Sequence, residues 1–197
     1  RRQRQMCIRD SYQTGALFVK SGVNLQIGKG VTLLASPDIH HYPEFRSRIA
    51  GIEMTWPAAV INIVDEKNAA VSGEGTLDCR GKVFWDKYWE MRKEYVAKGL
   101  RWIVDYDCKR VRGILVERSS DITLSGFTLM RTGFWGCQIL YSDFFGYRVY
   151  QECTDTERNS CYDLIDHLHE IVVDAAEHIL NIEILNVSAL SLIHISE

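Results

Sequence analysis

One pattern recurs along this chain, and it limits the fold more than any other feature of the sequence. Val60-Ile61-Asn62-Ile63 is followed by Lys67-Asn68-Ala69-Ala70-Val71-Ser72-Gly73-Glu74-Gly75-Thr76-Leu77. Later, Gly113-Ile114-Leu115-Val116 is followed by Ser119-Ser120-Asp121-Ile122-Thr123-Leu124-Ser125-Gly126-Phe127-Thr128-Leu129. Ile63 and Val71 are eight positions apart, as are Val116 and Leu124, and each time a Ser-Gly pair comes next. Val19 to Leu33, punctuated by Gly22, Gly28 and Gly30, is a looser third copy. Short β-branched runs repeated between small polar turns predict coils stacked into a solenoid. A coil cannot cover its own apolar face, so the next coil must.

The two ends read differently. Arg1 to Ser11 resembles a translated sequencing-library adaptor, and Leu190 to Glu197 resembles the matching one, so both are expected to be processing scars outside the fold. Setting them aside removes four arginines, Asp10 and Glu197, and moves the formal charge from −3 to −5. No basic stripe remains, which argues against a nucleic-acid partner. Five cysteines remain, Cys79, Cys108, Cys137, Cys153 and Cys161, and no C-x-x-C spacing marks a zinc or thiol-redox site. The even 29-residue spacing of Cys79, Cys108 and Cys137 would let them stack along a solenoid, although buried small side chains are the plainer reading. No apolar run reaches the roughly 18 residues of a membrane span.

Residues 12–36 read as short strands with glycine turns. Residues 37–57, with Pro37, Pro43 and Pro57, read as an irregular loop leaving the stack. Strands return over 58–79. Residues 84–98 have helical periodicity instead: Trp85, Trp89 and Val96 share a side, with Tyr88 and Arg92 nearby, and Gly99 stands where a C-terminal cap belongs. This predicts a helix inserted between two coils. From 100 to 142 strands are expected again, at Trp102-Ile103-Val104, 113–116, 122–124, 127–130 and 137–140. The character changes after Ser142: 151–163 is polar, and 164–185 suits a helix as well as strands. Residues 12–142 are therefore the expected β-helix portion. Residues 143–189 are a continuation that divergence, a frame change or a chimeric join would explain.

The middle of the chain resembles glycoside hydrolase family 28, the polygalacturonase-like enzymes. The resemblance is carried by Thr14 to Ser21 with Val23 to Leu34, by Val71-Ser72-Gly73-Glu74-Gly75-Thr76-Leu77-Asp78, by Phe84-Trp85-Asp86-Lys87-Tyr88-Trp89, and by Asp121 to Leu129 running into Gly133-Phe134-Trp135. It implies an all-β fold, a right-handed single-stranded parallel β-helix of the pectin-lyase-like kind, here partial. It also implies inverting hydrolysis of glycosidic bonds in pectin-type polysaccharide by a secreted or periplasmic monomer. No cofactor, metal or membrane is implied. Inversion needs a protonated carboxyl for the leaving oxygen and a carboxylate that activates water on the opposite face.

The family supplies these groups from an Asn-x-Asp motif, a downstream Asp-Asp pair, a Gly-His-Gly and an Arg-x-Lys. Asn159-Ser160-Cys161-Tyr162-Asp163-Leu164-Ile165-Asp166 falls where the first motif is due, with two extra residues and Leu164 in place of a glycine. Asp163 and Asp166 are thus the candidate catalytic carboxylates, against a solvated acidic turn. Glu177-His178 stands where the Asp-Asp pair belongs, no Gly-His-Gly occurs, and no Arg-x-Lys follows that segment. The 197-residue chain is accordingly expected to lack hydrolase activity.

Trp135, Gln138 and Arg131 lie next to the coil where that site should follow, and are the candidate substrate-binding residues. Arg101, Lys109, Arg110 and Arg112 are further candidates for sugar carboxylates, against surface charges on turns. The loop pair His40-His41 lies beside Asp38 and Glu44, but adjacent side chains on an extended strand point apart, which favours a surface role over a metal site. None of the glycine turns has phosphate-loop spacing. The competing function is a non-catalytic carbohydrate-binding or structural β-helix. A lyase on the same fold would need a calcium-binding acidic set and a basic proton abstractor, which the sequence does not group.

Overall fold

The computed structural model describes residues 11–142 and 144–152. The chain starts in β1 (Ser11–Thr14) and winds a first coil through β2 (Leu17–Phe18), β3 (Asn24–Ile27) and β4 (Thr32–Ala35). A hairpin of β5 (Glu44–Ile49) and β6 (Ile52–Pro57) precedes the second coil, made of β7 (Ile61–Val64), β8 (Lys67–Gly73) and β9 (Thr76–Asp78). Two helices, α1 (Lys82–Ala97) and α2 (Val104–Asp107), precede the third coil of β10 (Ile114–Glu117) and the long β11 (Ser120–Met130). The fourth begins with β12 (Cys137–Leu140) and β13 (Phe144–Glu152).

Pairing between coils is parallel throughout and forms three faces. The first stacks β2, β7, β10 and β12. The second stacks β3, β8 and the first half of β11; the third stacks β1, β4, β9 and the second half of β11. Strand β13 follows β11 along both. This is the solenoid the repeats predict and the right-handed parallel β-helix the resemblance implies, the hand that parallel crossovers favour.

The eight-residue spacing in the sequence is the coil register itself. Ile63 pairs with Val116, and Val71 with Leu124. The inward ladders are Ile61, Ile114 and Cys137; Ile63, Val116 and Ile139; Leu25, Val71 and Leu124; and Leu33, Leu77 and Leu129. They meet in one apolar core, where each fully buried aliphatic side chain contributes roughly 1.5–3 kcal/mol. The repeated Ser-Gly pairs form the corner between the second and third faces. Gly73 and Gly126 stack there with φ of 124° and 83°, and a Cβ on Gly126 would sit 2.6 Å from the Gly73 carbonyl oxygen.

From Ile114 to Cys137 one coil takes 23 residues. The two earlier steps, Leu17 to Ile61 and Ile61 to Ile114, take 44 and 53, so they carry 21 and 30 extra residues. Both surpluses leave from the corner between the third and first faces. The even cysteine spacing is therefore not the coil period. Cys137 stacks on Ile114, Cys79 lies past β9 in the main core, and Cys108 is buried beneath α1.

Three expectations are corrected. The 37–57 loop contains the β5–β6 hairpin, closed by Ala50-Gly51 with φ of 44° and 84°. Positive φ at both central residues fits a type I′ turn, which favours Asn-Gly; alanine there hides the signal. Trp102-Ile103-Val104 is not a strand: Val104 opens α2 and packs against Tyr88 and Cys108, while Trp102 and Ile103 stay exposed. The inserted helix spans Lys82–Ala97, close to the predicted 84–98, but it buries Phe84 and Tyr88 and leaves Val96 in solvent.

Candidate active-site face

The first face has an outward side as well as an inward one. Asn62, Leu115 and Gln138 stack along it in register, and all three are buried. The cover is the β5–β6 hairpin. Its inward residues are Phe45, Ser47 and Ile49; Phe45 packs beside Leu115 and Leu140, and Ile49 joins Trp56, Phe134 and Trp135.

A polar layer lies between hairpin and sheet. Buried Arg112 donates to Gln138 Oε1 (2.6 Å), Ser47 Oγ (3.1 Å) and the Pro57 carbonyl (3.2 Å). Ser47 Oγ donates to Glu117 Oε2 at 2.9 Å, and Glu117 Oε1 accepts from Arg118. Gln138 Nε2 donates to the Arg48 carbonyl at 2.9 Å. Burial pulls Arg112 down to about 9, with the Glu117 charge opposing that, so it is still cationic at neutral pH. Each partner is needed because an uncompensated buried cation costs several kcal/mol or more.

The rim is built from the residues that end each first-face strand. Asp65, Arg118 and Tyr141 follow β7, β10 and β12 in register, with φ of 58°, 47° and 50°. Arg118 grips Asp65 with two bonds, 2.7 and 2.9 Å, and holds that carboxyl below its usual range. Tyr141 Oη accepts from Arg48 and donates to Glu53, each at 3.0 Å. Inverting hydrolysis needs one carboxyl that stays protonated, and Asp65 is shifted the opposite way. The carboxylates of the described rim are occupied with cations and hydroxyls.

Asp163 and Asp166 lie outside the described residues. Trp135 is 4 % exposed and stacks on Phe134 at 4.1 Å, in the cluster beneath the hairpin. Gln138 is 3 % exposed, with its amide oxygen on Arg112 and its amide nitrogen on Arg48. Arg131 sits on the third face, half-exposed, with Nε 2.9 Å from Asp78 Oδ1 and Nη2 on Oδ2. Trp135 and Gln138 are thus brought together under the hairpin, and Arg131 is apart from them.

Arg110 and Arg112 are buried rather than surface charges. Arg110 lies 4.0–4.8 Å from the ring centres of Tyr88, Phe134 and Trp85, and its guanidinium meets Asp105 at 2.7 Å. Lys109 pairs with Glu44, and Arg101 stacks on Trp102. His41 Nδ1 lies 2.6 Å from Ser36 Oγ, and no group of three metal-ligating side chains occurs among the described residues. Ser47, Glu117, Arg48 and Tyr141 were missed from the sequence because the hairpin that joins them was read as a loop.

No protein-family profile matches the chain. A curated exo-poly-α-D-galacturonosidase from Dickeya chrysanthemi is 31 % identical over 78 residues, which cover 36 % of this chain and 13 % of that protein. A solved polygalacturonase from Erwinia carotovora ssp. carotovora superposes with a TM-score of 0.58 at 25 % identity, over 76 % of this chain and 40 % of its own. A family 28 exopolygalacturonase from Yersinia enterocolitica gives a TM-score of 0.57 at 19 % identity, over 72 % of this chain and 32 % of its own. The chain therefore spans well under two thirds of the length of each of these three proteins.

Proposed function

We propose that this chain, a polygalacturonase-like β-helix of glycoside hydrolase family 28, is the portion of a pectin-type glycosidase that builds and walls the approach to its catalytic coil. The observation that carries this is the first face. Four parallel strands place a polar rim beside a fixed hairpin, and β12 ends that sheet among the described residues. Asp163 and Asp166 follow the described residues in sequence and are the candidate carboxylates of this chain.

In the proposed reaction, a carboxyl of the catalytic coil protonates the leaving glycosidic oxygen. A second carboxylate deprotonates a water attacking the anomeric carbon from the other side, with inversion. Trp135 and Gln138 act from beneath, by fixing the hairpin against β12, and Arg131 is a peripheral cation toward the substrate. The substrate is a galacturonan-like polysaccharide, met by a monomer outside the cytoplasm. No helix among the described residues is long and apolar enough to cross a membrane.

The test is titration of the purified chain with oligogalacturonates and with neutral galactan oligomers, followed by an assay for new reducing ends. Selective uronate binding without hydrolysis is expected. Equal affinity for the neutral oligomers would remove the substrate reading. Hydrolysis that Asp163→Asn and Asp166→Asn leave intact would remove the two aspartates. The competing reading, a non-catalytic binding β-helix, is favoured if a longer chain from the same source also binds uronate without cleaving it.

A further inference from the structure

The turn between α1 and α2 is unlike the rest of the surface. All eight residues from 96 to 103 are exposed. Four are large and apolar (Val96, Leu100, Trp102 and Ile103), two are cations (Lys98 and Arg101), and none is acidic. Trp102 is 68 % exposed even though the Arg101 guanidinium stacks 4.3 Å from its ring centre. The nearest following acids are committed elsewhere, Asp105 to Arg110 at 2.7 Å and Asp107 to the Tyr95 hydroxyl at 2.7 Å. The fold does not need this tip for packing, because Val104, Tyr88 and Cys108 form the local core on the other side. Clustered exposed apolar groups of this kind mark an interaction site.

The position narrows the ligand. Tyr106, in the helix that follows, donates from its hydroxyl to the Ala50 carbonyl at the hairpin tip, at 3.3 Å. The turn therefore stands beside the wall of the first face. An indole next to a planar guanidinium suits a ring with an apolar C–H face and an adjacent carboxylate, which the guanidinium can take in bidentate fashion.

We propose that the 96–103 turn is an accessory docking platform for an acidic polysaccharide, separate from the reaction cleft. A pyranose ring stacks on Trp102, its carboxylate pairs with Arg101, and Lys98 takes the charge of a neighbouring sugar. The choice of a uronate chain rests on the function proposed above; the two-cation, acid-free composition of the turn is independent of it.

The test is fluorescence titration of the full 197-residue chain with tri- and pentagalacturonate at low and high salt, with urea unfolding as the folding control. Trp102→Ala and Arg101→Ala should each weaken binding about tenfold, the usual loss on truncating a recognition side chain. Arg101→Lys should restore it only partly, and salt should weaken the unmodified chain more than Arg101→Ala. If both variants bind as tightly as the unmodified chain, the platform is refuted while uronate binding elsewhere stands. If the unmodified chain binds no uronate, both readings fall. If Trp102→Ala instead abolishes binding to phosphatidylserine vesicles and leaves uronate binding intact, the turn meets a lipid surface and the proposal is overturned.

Discussion

Gly126→Ala tests whether the corner between the second and third faces is set by stacking or only by backbone conformation. Gly126 has φ of 83°, and an added Cβ would lie 2.6 Å from the Gly73 carbonyl oxygen, well inside the 3.4 Å at which ordinary contact begins. Gly22 is the matched control. Its φ is 75°, and nothing lies within 4 Å of an added Cβ. The left-handed conformation costs an L-residue roughly 1–2 kcal/mol. The lost freedom of the unfolded chain returns about 0.4–1 kcal/mol. Gly22→Ala should therefore cost about 1 kcal/mol. Gly126→Ala carries the same terms plus overpacking of roughly 1–3 kcal/mol, because the coils are fixed about 4.8 Å apart by their hydrogen bonds. Its total is about 2–4 kcal/mol. Urea unfolding followed by tryptophan fluorescence measures both. Equal losses, within about 0.5 kcal/mol, would refute the stacking argument. Gly22→Asn sharpens the test. Asn68 and Asp121 occupy the equivalent place in the next two coils with φ of 50° and 57°, so asparagine should be nearly neutral there.

Glu66 accepts from Lys20 at 2.7 Å and from Ser21 at 2.6 and 2.8 Å, which lowers its pKa from 4.5 to about 2. A depressed folded pKa gives stability that is complete above about 4.5 and lost as pH falls through about 2, so the melting temperature should drop across that window, and less so in Glu66→Gln. Arg110→Ala should cost about 3–5 kcal/mol, since it leaves Asp105 without its buried cation and empties the space among three rings. Arg110→Lys should cost less, and loss of near-ultraviolet dichroism reports both; an Arg110→Ala protein as stable as the parent would refute the role. Gln138→Leu should cost about 1–3 kcal/mol by removing an acceptor from Arg112 and the donor to the Arg48 carbonyl. Hydrogen exchange should then quicken across residues 44–57; unchanged protection there would show that the polar layer does not hold the hairpin.

The coils were legible in the sequence because a solenoid repeats one local problem. Ile63 and Val116 face the same interior, and their equal distances to Val71 and Leu124 follow from one turn geometry applied twice. What the sequence hid was burial imposed by the insertions. Gln138 alternates outward from β12 and reads as a solvent-facing polar residue, yet Arg48, 90 positions earlier, covers it. Arg110 and Arg112 read as turn charges. Their burial comes from α1 and the hairpin, and only an arrangement distant in sequence makes a buried guanidinium tolerable. The 29-residue cysteine spacing does not mark stacking for the same reason, since it counts insertion residues as if they belonged to coils; the plainer reading, three buried small side chains, holds.

The insertions also explain where the first face is covered. All three third-to-first-face connections leave one corner, but they are not alike: the first holds the hairpin, the second holds both helices, and the third is the six residues 131–136. The wall is therefore the hairpin, which reaches from β10 across β12 and covers Gln138 and Leu140. The wall is anchored by a charged layer beside two apolar clusters, and the charged layer costs stability but fixes direction: Arg112 is satisfied only by the hairpin position that brings Ser47, Pro57 and Gln138 together. That position sets Arg48 against Tyr141 at the last first-face corner described.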